Sequence, residues 1–461
     1  MAGSSGNRVN ASSPIVSQIP ASIDLLDLHR LDPGRYPFLL ESAASGEPLG
    51  RYDILFAFPG PTLLLDAEFR LSGPGAGKSA RFLDTLDRWW LDTGSGLNPR
   101  PAPFSGGWFV YLGYELAQEI EPSLALPGEP GVPVAFATRV RVAVVRDRVE
   151  GRAWIVAEPG QAGRLDLIKT DLLDLKELDP NRGRPIVDGS VIEEPPEMFL
   201  AAVQKAQTHI ARGDIYQANL SRMWRTQLQP NVRAGDLYAR LRETNPAPFA
   251  GLAVRDDFAV ISSSPERLLR LREGRIETRP IAGTRARDEH SETGGFNKGE
   301  FLCHPKERAE HIMLIDLERN DLGRICYPGT VSVDEFMTIE TYAYVHHIVS
   351  TVTGRPRDKL TPGQMISAVF PGGSITGCPK VRCMEIIRDL EGRPRGPYTG
   401  AMGYLNLDGS CDFNILIRTV VANGRSISVA AGSGIVADSD PRAELEETRV
   451  KAMGVLLALA A

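Results

Sequence analysis

The chain has 461 residues, of which 42% are hydrophobic and 24% are charged. This apolar share is typical of a globular protein and is too high for a chain that is disordered throughout. The 58 acidic residues outnumber the 52 basic ones and give a formal net charge of -6. We therefore expect no nucleic-acid partner, because duplex binding usually needs a basic face.

The sequence also carries few signs of a membrane or secreted protein. It has no run of about 18 apolar residues, so we predict no membrane span. Residues 1–14 are rich in Ser, Gly and Asn and lack the features of a signal peptide, which predicts a disordered tail. The five cysteines have no disulfide-framework spacing, which favours a reduced, cytoplasmic protein; they are Cys303, Cys326, Cys378, Cys383 and Cys411.

The pattern of short apolar runs divides the chain into two parts. Residues 15–180 form a predicted N-terminal subdomain, and residues 196–461 form a second region after a polar, proline-containing connection. In chain order, we predict strands at 52–58, 62–65, 107–112, 140–145 and 153–157, with a helix near 80–91.

The second region opens with a predicted amphipathic helix. Phe199, Val203 and Ala206 recur at helical spacing, Ile210 continues the same face, and Gly213 stands where the helix should stop. A strand at 215–221 and then alternating helices and strands are expected to follow.

Two helical segments each carry paired carboxylates. Glu307 and Glu310 share one face at i, i+3, after a proline that suits a first helical position. Glu444, Glu447 and Lys451 share a face at i, i+3 and i+7 near the C-terminus. Four carboxylates from two helices are suited to a hard cation such as Mg²⁺. For each helix alone, the alternative is an ordinary surface salt bridge, as between Glu447 and Lys451.

Two glycine-rich segments offer backbone amides. Residues 430–436 follow a predicted strand at 426–429, and a loop there would let the amides of Gly432 and Gly434 approach an anion. Residues 370–380 place small residues before a helix that begins near Lys380. Each segment is equally compatible with a simple tight turn.

The order of motifs in the second region resembles that of the chorismate-utilising enzymes, which comprise anthranilate, aminodeoxychorismate, isochorismate and salicylate synthases. The motifs are GDIYQANLS (213–221), SSPE (263–266), TRPIAGT (278–284), RAEH (308–311), DLERND (316–321), HIVS (347–350), FPGGSITGCPK (370–380), IRT (417–419) and ELEETRVK (444–451). The first part matches through LLES (39–42) and residues 106–115. The resemblance implies an α+β fold in which two face-packed β-sheets form a sandwich with helices outside and the N-terminal part contributes to both sheets.

The resemblance also implies roles for individual residues. Glu310 and Glu447 would bind Mg²⁺ directly, with Glu307 and Glu444 acting through water. Tyr398, Arg418 and the amides of Gly432 and Gly434 would hold the enolpyruvyl carboxylate of chorismate, and Lys451 would anchor the ring carboxylate. Glu266 resembles the general acid for the C4 hydroxyl. His347 matches a histidine near the reacting ring, with a hydrogen-bonded core histidine as the alternative.

One position indicates which nucleophile is used. Isochorismate and salicylate synthases have a lysine base for water where this chain has Gln217, which cannot deprotonate water at neutral pH. We therefore expect amination by ammonia. None of the cysteines lies in the glycine-flanked turn of an amidotransferase nucleophile, so a separate glutamine amidotransferase subunit is implied.

The choice between the two aminating activities rests on conflicting segments. The SITG stretch at 374–377 and the chain length favour the aminodeoxychorismate type, which leads to 4-aminobenzoate and folate. The segment TRPIAGT ends at Thr284, and we count Thr284 among the predicted catalytic residues. In the same segment, Ala282 stands where many aminodeoxychorismate synthases have a nucleophilic lysine. This alanine favours the anthranilate type, which is our alternative. A third reading is a regulatory subunit, because Leu40, Glu41 and Ser42, with Tyr52, resemble the family's tryptophan-binding strip.

Overall fold

We describe the protein from a computed structural model that covers residues 13–44, 50–77, 80–94, 102–175, 184–286, 305–341 and 345–460. Most of the predicted N-terminal tail, residues 1–12, lies outside these ranges. The side chains of Ala282, Thr284 and Glu307 also lie outside the described part, although their backbones belong to regular elements.

Helices connect and flank the strands along the whole described chain. They are α1 (Leu25–Leu31), α2 (Phe82–Thr93), α3 (Ala117–Ile120), α4 (Ala162–Asp174), α5 (Pro196–Ala211), α6 (Ala234–Thr244), α7 (Pro305–Gly323), α8 (Pro362–Val369), α9 (Lys380–Glu391) and α10 (Pro441–Leu459). None of the described helices is both long enough and apolar enough to cross a membrane.

The first sheet is antiparallel in every described pairing. Its strands, in spatial order, are β1 (Ile15–Ile19), β9 (Arg152–Ala157), β8 (Val142–Asp147), β3 (Tyr52–Ala57), β2 (Phe38–Glu41), β12 (Phe249–Arg255), β13 (Phe258–Ser264), β22 (Thr419–Asn423), β23 (Ser426–Ile435), β11 (Gln217–Gln227) and β10 (Ile192–Glu193). A short strand, β19 (Gly377–Cys378), also pairs with β11.

The second sheet is likewise antiparallel. Its strands, in spatial order, are β16 (Ile281–Ala286), β18 (Val345–Gly354), β15 (Arg275–Arg279), β14 (Arg267–Arg272), β21 (Cys411–Asn414), β20 (Ala401–Asn406), β6 (Gly107–Leu112), β7 (Ala135–Val140), β4 (Thr62–Leu65) and β5 (Leu71–Ser72), with β17 (Ser332–Thr341) paired to β18.

The two sheets pack face to face through an aromatic core. Phe38 of the first sheet stacks on Phe109 of the second, with ring centroids 4.2 Å apart. Separate apolar clusters pack α1, α6 and α10 against the first sheet and α2, α7 and α8 against the second. The predicted α+β sandwich with helices outside is confirmed.

Strands from the N-terminal part enter both sheets. In the first sheet β2 pairs with β12, and in the second sheet β6 pairs with β20. The predicted N-terminal and C-terminal regions therefore share both sheets. This arrangement means that the N-terminal strands help to position the strands that carry the site.

The bounds of one predicted strand were wrong, and so was one predicted loop. The predicted strand at 140–145 spans the turn between β7 and β8, because both flanking stretches are apolar and only Arg141 separates them. The predicted glycine loop at 430–436 is instead largely the end of β23, which continues to Ile435. There the pairing with β11 overrides the low strand preference of glycine, since strand propensity depends strongly on context.

Candidate active site

One cavity gathers nearly all of the predicted site residues. It is lined by residues that lie up to 234 positions apart in the sequence, from both sheets and from helices α7 and α10. The predicted residues among them are Gln217, Glu266, Glu310, His347, Tyr398, Arg418, Gly432, Gly434, Glu444, Glu447 and Lys451. Gly283, whose neighbours are Ala282 and Thr284, also lines it.

Carboxylates from two helices line this cavity. Glu310 on α7 accepts a hydrogen bond of 3.0 Å from Nε2 of Gln217. On α10, Glu447 forms a 2.7 Å ion pair with Lys451, and Glu444 is buried and accepts a hydrogen bond from Ser433. Burial opposes the charge of Lys451, but Glu447 and Glu310 outweigh it and raise the lysine's pKa.

The chemistry of these donors fits Mg²⁺, which binds one or two carboxylates and keeps other positions for water and substrate oxygens. Within the described ranges, however, no three His, Cys, Asp or Glu side chains lie close enough together to hold a metal ion by themselves. Each carboxylate is instead held in place by a protein partner.

The glycines of β23 present their amides to the cavity. Asn219 and Ser221, which lie opposite Gly434 and Gly432, donate their own amides away from β23, to Thr376 O and to Glu391. Opposed residues in an antiparallel pair exchange both hydrogen bonds or neither. The amides of both glycines therefore point away from β11, toward the opposite edge of β23. β22 pairs with that edge only as far as Val429, so the edge is open at Gly432 and Gly434. The amides of Gly432 and Gly434 are thus presented by a strand edge, and their contact with an anion stays a prediction.

These glycines also leave necessary space. A Cβ atom on Gly432 would lie 2.6 Å from Tyr398 Oη and 2.7 Å from Asn219 Oδ1. A Cβ atom on Gly434 would lie 2.4 Å from Gln217 Nε2 and 3.1 Å from Glu310 Oε1. Any side chain at either position would occupy the floor of the cavity.

Arg418 and His347 form a bonded pair in the cavity wall. Arg418 has a positive φ of 51°, a conformation that non-glycine residues seldom adopt and that often occurs at functional sites. Its guanidinium donates to Nε2 of His347 at 2.7 Å, and Nδ1 of His347 donates to Gly283 O at 3.2 Å. Burial and the neighbouring Arg418 lower the pKa of His347 well below its usual value, so this histidine is neutral.

Glu266 is buried in the same wall, with an exposed fraction of 3%. Ser374 donates to its Oε1 at 2.6 Å, and the Ile281 amide donates to the same atom at 3.3 Å. Burial raises the pKa of Glu266 to about 7, and the Glu318 carboxylate adds to this effect, while the two hydrogen bonds oppose it. A carboxyl group with this pKa carries a proton for transfer near neutral pH.

Two polar side chains that line the cavity were not predicted from the sequence. Ser374 lies in a segment noted for its small residues and its SITG motif, but no role was predicted for its hydroxyl, which donates to Glu266. Asn219 lies two residues from Gln217, and strand periodicity alone would have placed both on one face.

A second cavity contains the residues predicted to bind tryptophan. Leu40, Glu41, Ser42 and Tyr52 line it together with apolar side chains that include Ile54, Phe249 and Met402. The Ser42 hydroxyl donates to Pro248 O at 3.1 Å, and the guanidinium of Arg51 lies over the Tyr52 ring at 4.9 Å. Glu41 is fully buried beside Arg242, and burial together with Asp53 raises its pKa.

Comparison with known proteins agrees with this geometry. The family model described as chorismate binding enzyme matches residues 70–457. Anthranilate synthase component 1 of Aquifex aeolicus is 36% identical, over 92% of this chain and 90% of its own. Aminodeoxychorismate synthase component 1 of Bacillus subtilis is 38% identical, over 82% of each chain.

Solved structures support the same fold. Anthranilate synthase component I from Streptococcus pneumoniae superposes with a TM-score of 0.78 and 29% identity, covering 89% of this chain and 93% of its own. The isochorismate synthase MenF from Escherichia coli, at 19% identity and a TM-score of 0.72, shows the fold alone. This chain belongs to the chorismate-binding enzyme family and is an enzyme that uses chorismate. The resemblance that the motifs indicated is confirmed.

The pKa of Glu266 leads to a pH prediction. We expect kcat for chorismate to fall as the pH rises above about 7, because a general acid works only in its protonated form. Replacing Glu266 by Gln should lower kcat by about 10²- to 10⁴-fold and remove this dependence. The measurement is a pH profile of kcat at a constant concentration of free ammonia.

A matched control uses a glutamate that does not line the cavity. Glu385→Gln, which removes a carboxylate bonded to Arg382, should leave the profile unchanged. A Glu266→Gln enzyme with the wild-type rate would contradict the assigned role.

Proposed function

We propose that the protein catalyses the Mg²⁺-dependent amination of chorismate by ammonia to give 4-amino-4-deoxychorismate. The observation that carries this proposal is the position of Gln217. It lines the cavity with Glu266 and bonds to Glu310, where a water-using relative would have a basic lysine. A carboxamide is too weak a base to activate water, whereas neutral ammonia is a stronger nucleophile and can attack without a general base.

The site would hold chorismate as a dianion. Arg418 and the amides of Gly432 and Gly434 face the cavity as donors for one carboxylate, and Tyr398 Oη lies beside Gly432. Lys451, whose Nζ donates to Gly432 O at 3.2 Å, offers a cation for the other carboxylate. Glu310 and Glu447 would bind Mg²⁺, which when bound neutralises and orients the ring carboxylate; Glu444 and Glu307 would contact its water ligands.

Glu266 would act as the general acid. Its proton would pass to the departing C4 hydroxyl, so that the C–O bond breaks and water leaves. Ser374, which donates to Oε1, leaves Oε2 of Glu266 to carry the proton. The Nδ1–H of His347 is occupied by Gly283 O, so this neutral histidine supports Arg418 and is not itself the acid.

The segment 374–377 favours the aminodeoxychorismate product. Ser374 donates to Glu266, the proposed acid, and Ile375 lines the cavity, so residues that differ between the two aminating types in this stretch would lie close to the substrate. A sequence difference there can therefore influence where nitrogen is placed.

Anthranilate synthesis, as component I of anthranilate synthase, is the second candidate, and a specific observation favours it. Lys451 is the one lysine among the described residues that line the cavity, and its ion pair with Glu447 keeps it charged. A charged ammonium is no nucleophile, and position 282 is alanine. Ammonia would then add directly to the ring, as an anthranilate-type reaction requires.

We further propose that ammonia comes from a separate glutamine amidotransferase. The relatives in Aquifex aeolicus and Bacillus subtilis are each named component 1 of a synthase. Burial raises the pKa of every described cysteine, which keeps these thiols protonated and unreactive. Cys303 lies outside the described residues.

For the second cavity we propose tryptophan as the ligand. Leu40, Ile54 and Met402 provide apolar surface for an indole ring, while Ser42 and Asn414 provide polar groups. In an aminodeoxychorismate synthase such a tryptophan can be structural, whereas in an anthranilate synthase it inhibits.

Product analysis tests the proposed activity. After incubation with chorismate, Mg²⁺ and ammonium, we expect chromatography to show 4-amino-4-deoxychorismate and no release of pyruvate. Glutamine should not replace ammonium unless an amidotransferase subunit is added. Fluorescent anthranilate together with pyruvate would contradict the assignment and establish the second candidate.

Calorimetric titration with L-tryptophan tests the second cavity. We expect saturable binding by the wild type, and loss of binding in Leu40→Trp, because the larger side chain would fill the cavity. Leu91→Trp, at a site with 59% exposure outside the cavity, is the matched control. Unchanged affinity in Leu40→Trp, or no binding by the wild type, would refute this ligand.

A further inference from the structure

Two carboxamide oxygens in the active-site cavity accept no hydrogen bond from any described residue. Gln217 and Asn219 lie at i and i+2 on β11, so their side chains project from the same face of the strand. Their exposed fractions are 2% and 8%, and both line the cavity. Within the part of the chain that the structure describes, neither Gln217 Oε1 nor Asn219 Oδ1 accepts a hydrogen bond.

Buried acceptors are almost always satisfied in folded proteins, because an unpaired one loses its hydration without compensation. Two such oxygens on one strand face therefore indicate a ligand that donates hydrogen bonds. The neighbouring glycines make room for the two side chains, since a Cβ on Gly432 or Gly434 would collide with Asn219 Oδ1 or Gln217 Nε2.

The two substrates differ in the donors that they offer. Chorismate, as a dianion, has a single hydroxyl donor, and that hydroxyl must face Glu266 in order to receive its proton. Ammonia has three N–H donors. When its lone pair points at the ring carbon under attack, all three N–H bonds point away from the ring, where acceptors can receive them.

The contacts of Gln217 favour the same assignment. Its Nε2 donates to Glu310 Oε1 at 3.0 Å, and this bond fixes the plane of the carboxamide and directs Oε1 away from Glu310. Asn219 Oδ1 and Tyr398 Oη both lie beside Gly432, close to where a Cβ atom on that glycine would be. Asn219 Oδ1 is therefore on the cavity floor next to Gln217.

We propose that Asn219, together with Gln217, forms an acceptor seat that binds ammonia and directs its lone pair toward the chorismate ring. Asn219 is a positioning residue for the nucleophile. This inference rests on the proposed function, since it assumes that ammonia is the nitrogen donor.

The step balances without any further reactant. The ammonia lone pair forms the new C–N bond, the C4–O bond breaks, and the hydroxyl leaves as water with the proton of Glu266. The new ammonium group then loses one proton, which restores Glu266. Water in the same seat would donate its hydrogens but would not be activated, because an amide oxygen is too weak a base.

Asn219→Leu tests the seat because leucine has nearly the same shape as asparagine and no acceptor. With ammonium as the nitrogen source, we expect KM for ammonium to rise about fivefold to tenfold, as for a lost hydrogen bond. KM for chorismate should stay within about twofold of the wild type, because the chorismate contacts lie on other residues. Both constants are measured on the full chain with saturating Mg²⁺.

Two further variants complete the experiment. Asn423→Leu, at the last residue of β22, where the side chain donates to Pro130 O, should change neither constant. Asn219→Ala should reproduce the ammonium effect without added bulk if the leucine variant folds poorly.

An unchanged KM for ammonium in both Asn219 variants, or a rise confined to KM for chorismate, would contradict the proposal that Asn219 helps to bind ammonia. The result does not depend on which aminated product forms. A wild-type enzyme that fails to consume chorismate with ammonium would instead refute the proposed function on which the seat rests.

Discussion

The net charge of the cavity determines which ligands the site can bind. Among the described residues that line it, Glu310, Glu444 and Glu447 carry three formal negative charges, and Arg418 and Lys451 carry two positive ones. His347 is neutral, and Glu266 has a pKa near 7, so the wall is negative overall. A dianion entering a buried, negative site would be repelled strongly at low dielectric. The divalent cation that we propose would reverse that balance and allow an acidic cavity to accept an anionic substrate.

The fold supplies this arrangement by bringing distant segments together. Helix α7 carries Glu310 and packs beside the second sheet, while α10 carries Glu447 and packs against the first. The cavity is lined by Glu310 of α7, by Glu447 of α10 and by the open edge of β23 at Gly432 and Gly434. The N-terminal strands are part of the same two sheets. The second cavity is lined by Leu40 of β2, and β2 is hydrogen-bonded through β12 to β13, the strand that precedes Glu266. A ligand bound there would contact the sheet that leads to Glu266.

The sequence predicted those features that are encoded locally. The helical spacing of Glu444, Glu447 and Lys451 is visible in the sequence, and the structure retains both the shared face and the 2.7 Å salt bridge. The site as a whole was accessible only through ordered motifs, because no local rule places Gln217 beside Glu310, 93 residues away.

Features that depend on long-range pairing were not predictable. Glycine content suggested a loop at 430–436, but pairing with β11 makes it a strand whose open edge still presents the amides. The contact between Ser374 and Glu266 spans 108 residues and has no signal in either segment. The unsatisfied oxygen of Asn219 follows from burial, which only the packed structure reveals.

The most direct test of this account measures the affinity for Mg²⁺ by calorimetry, with chorismate present and ammonium absent. Glu310→Gln and Glu447→Gln should each weaken binding by at least about tenfold, since each removes one charged oxygen ligand. Glu446→Gln, which removes the adjacent and more exposed carboxylate paired with Arg449, should bind as the wild type does. Wild-type affinity in either Glu310→Gln or Glu447→Gln would contradict the account.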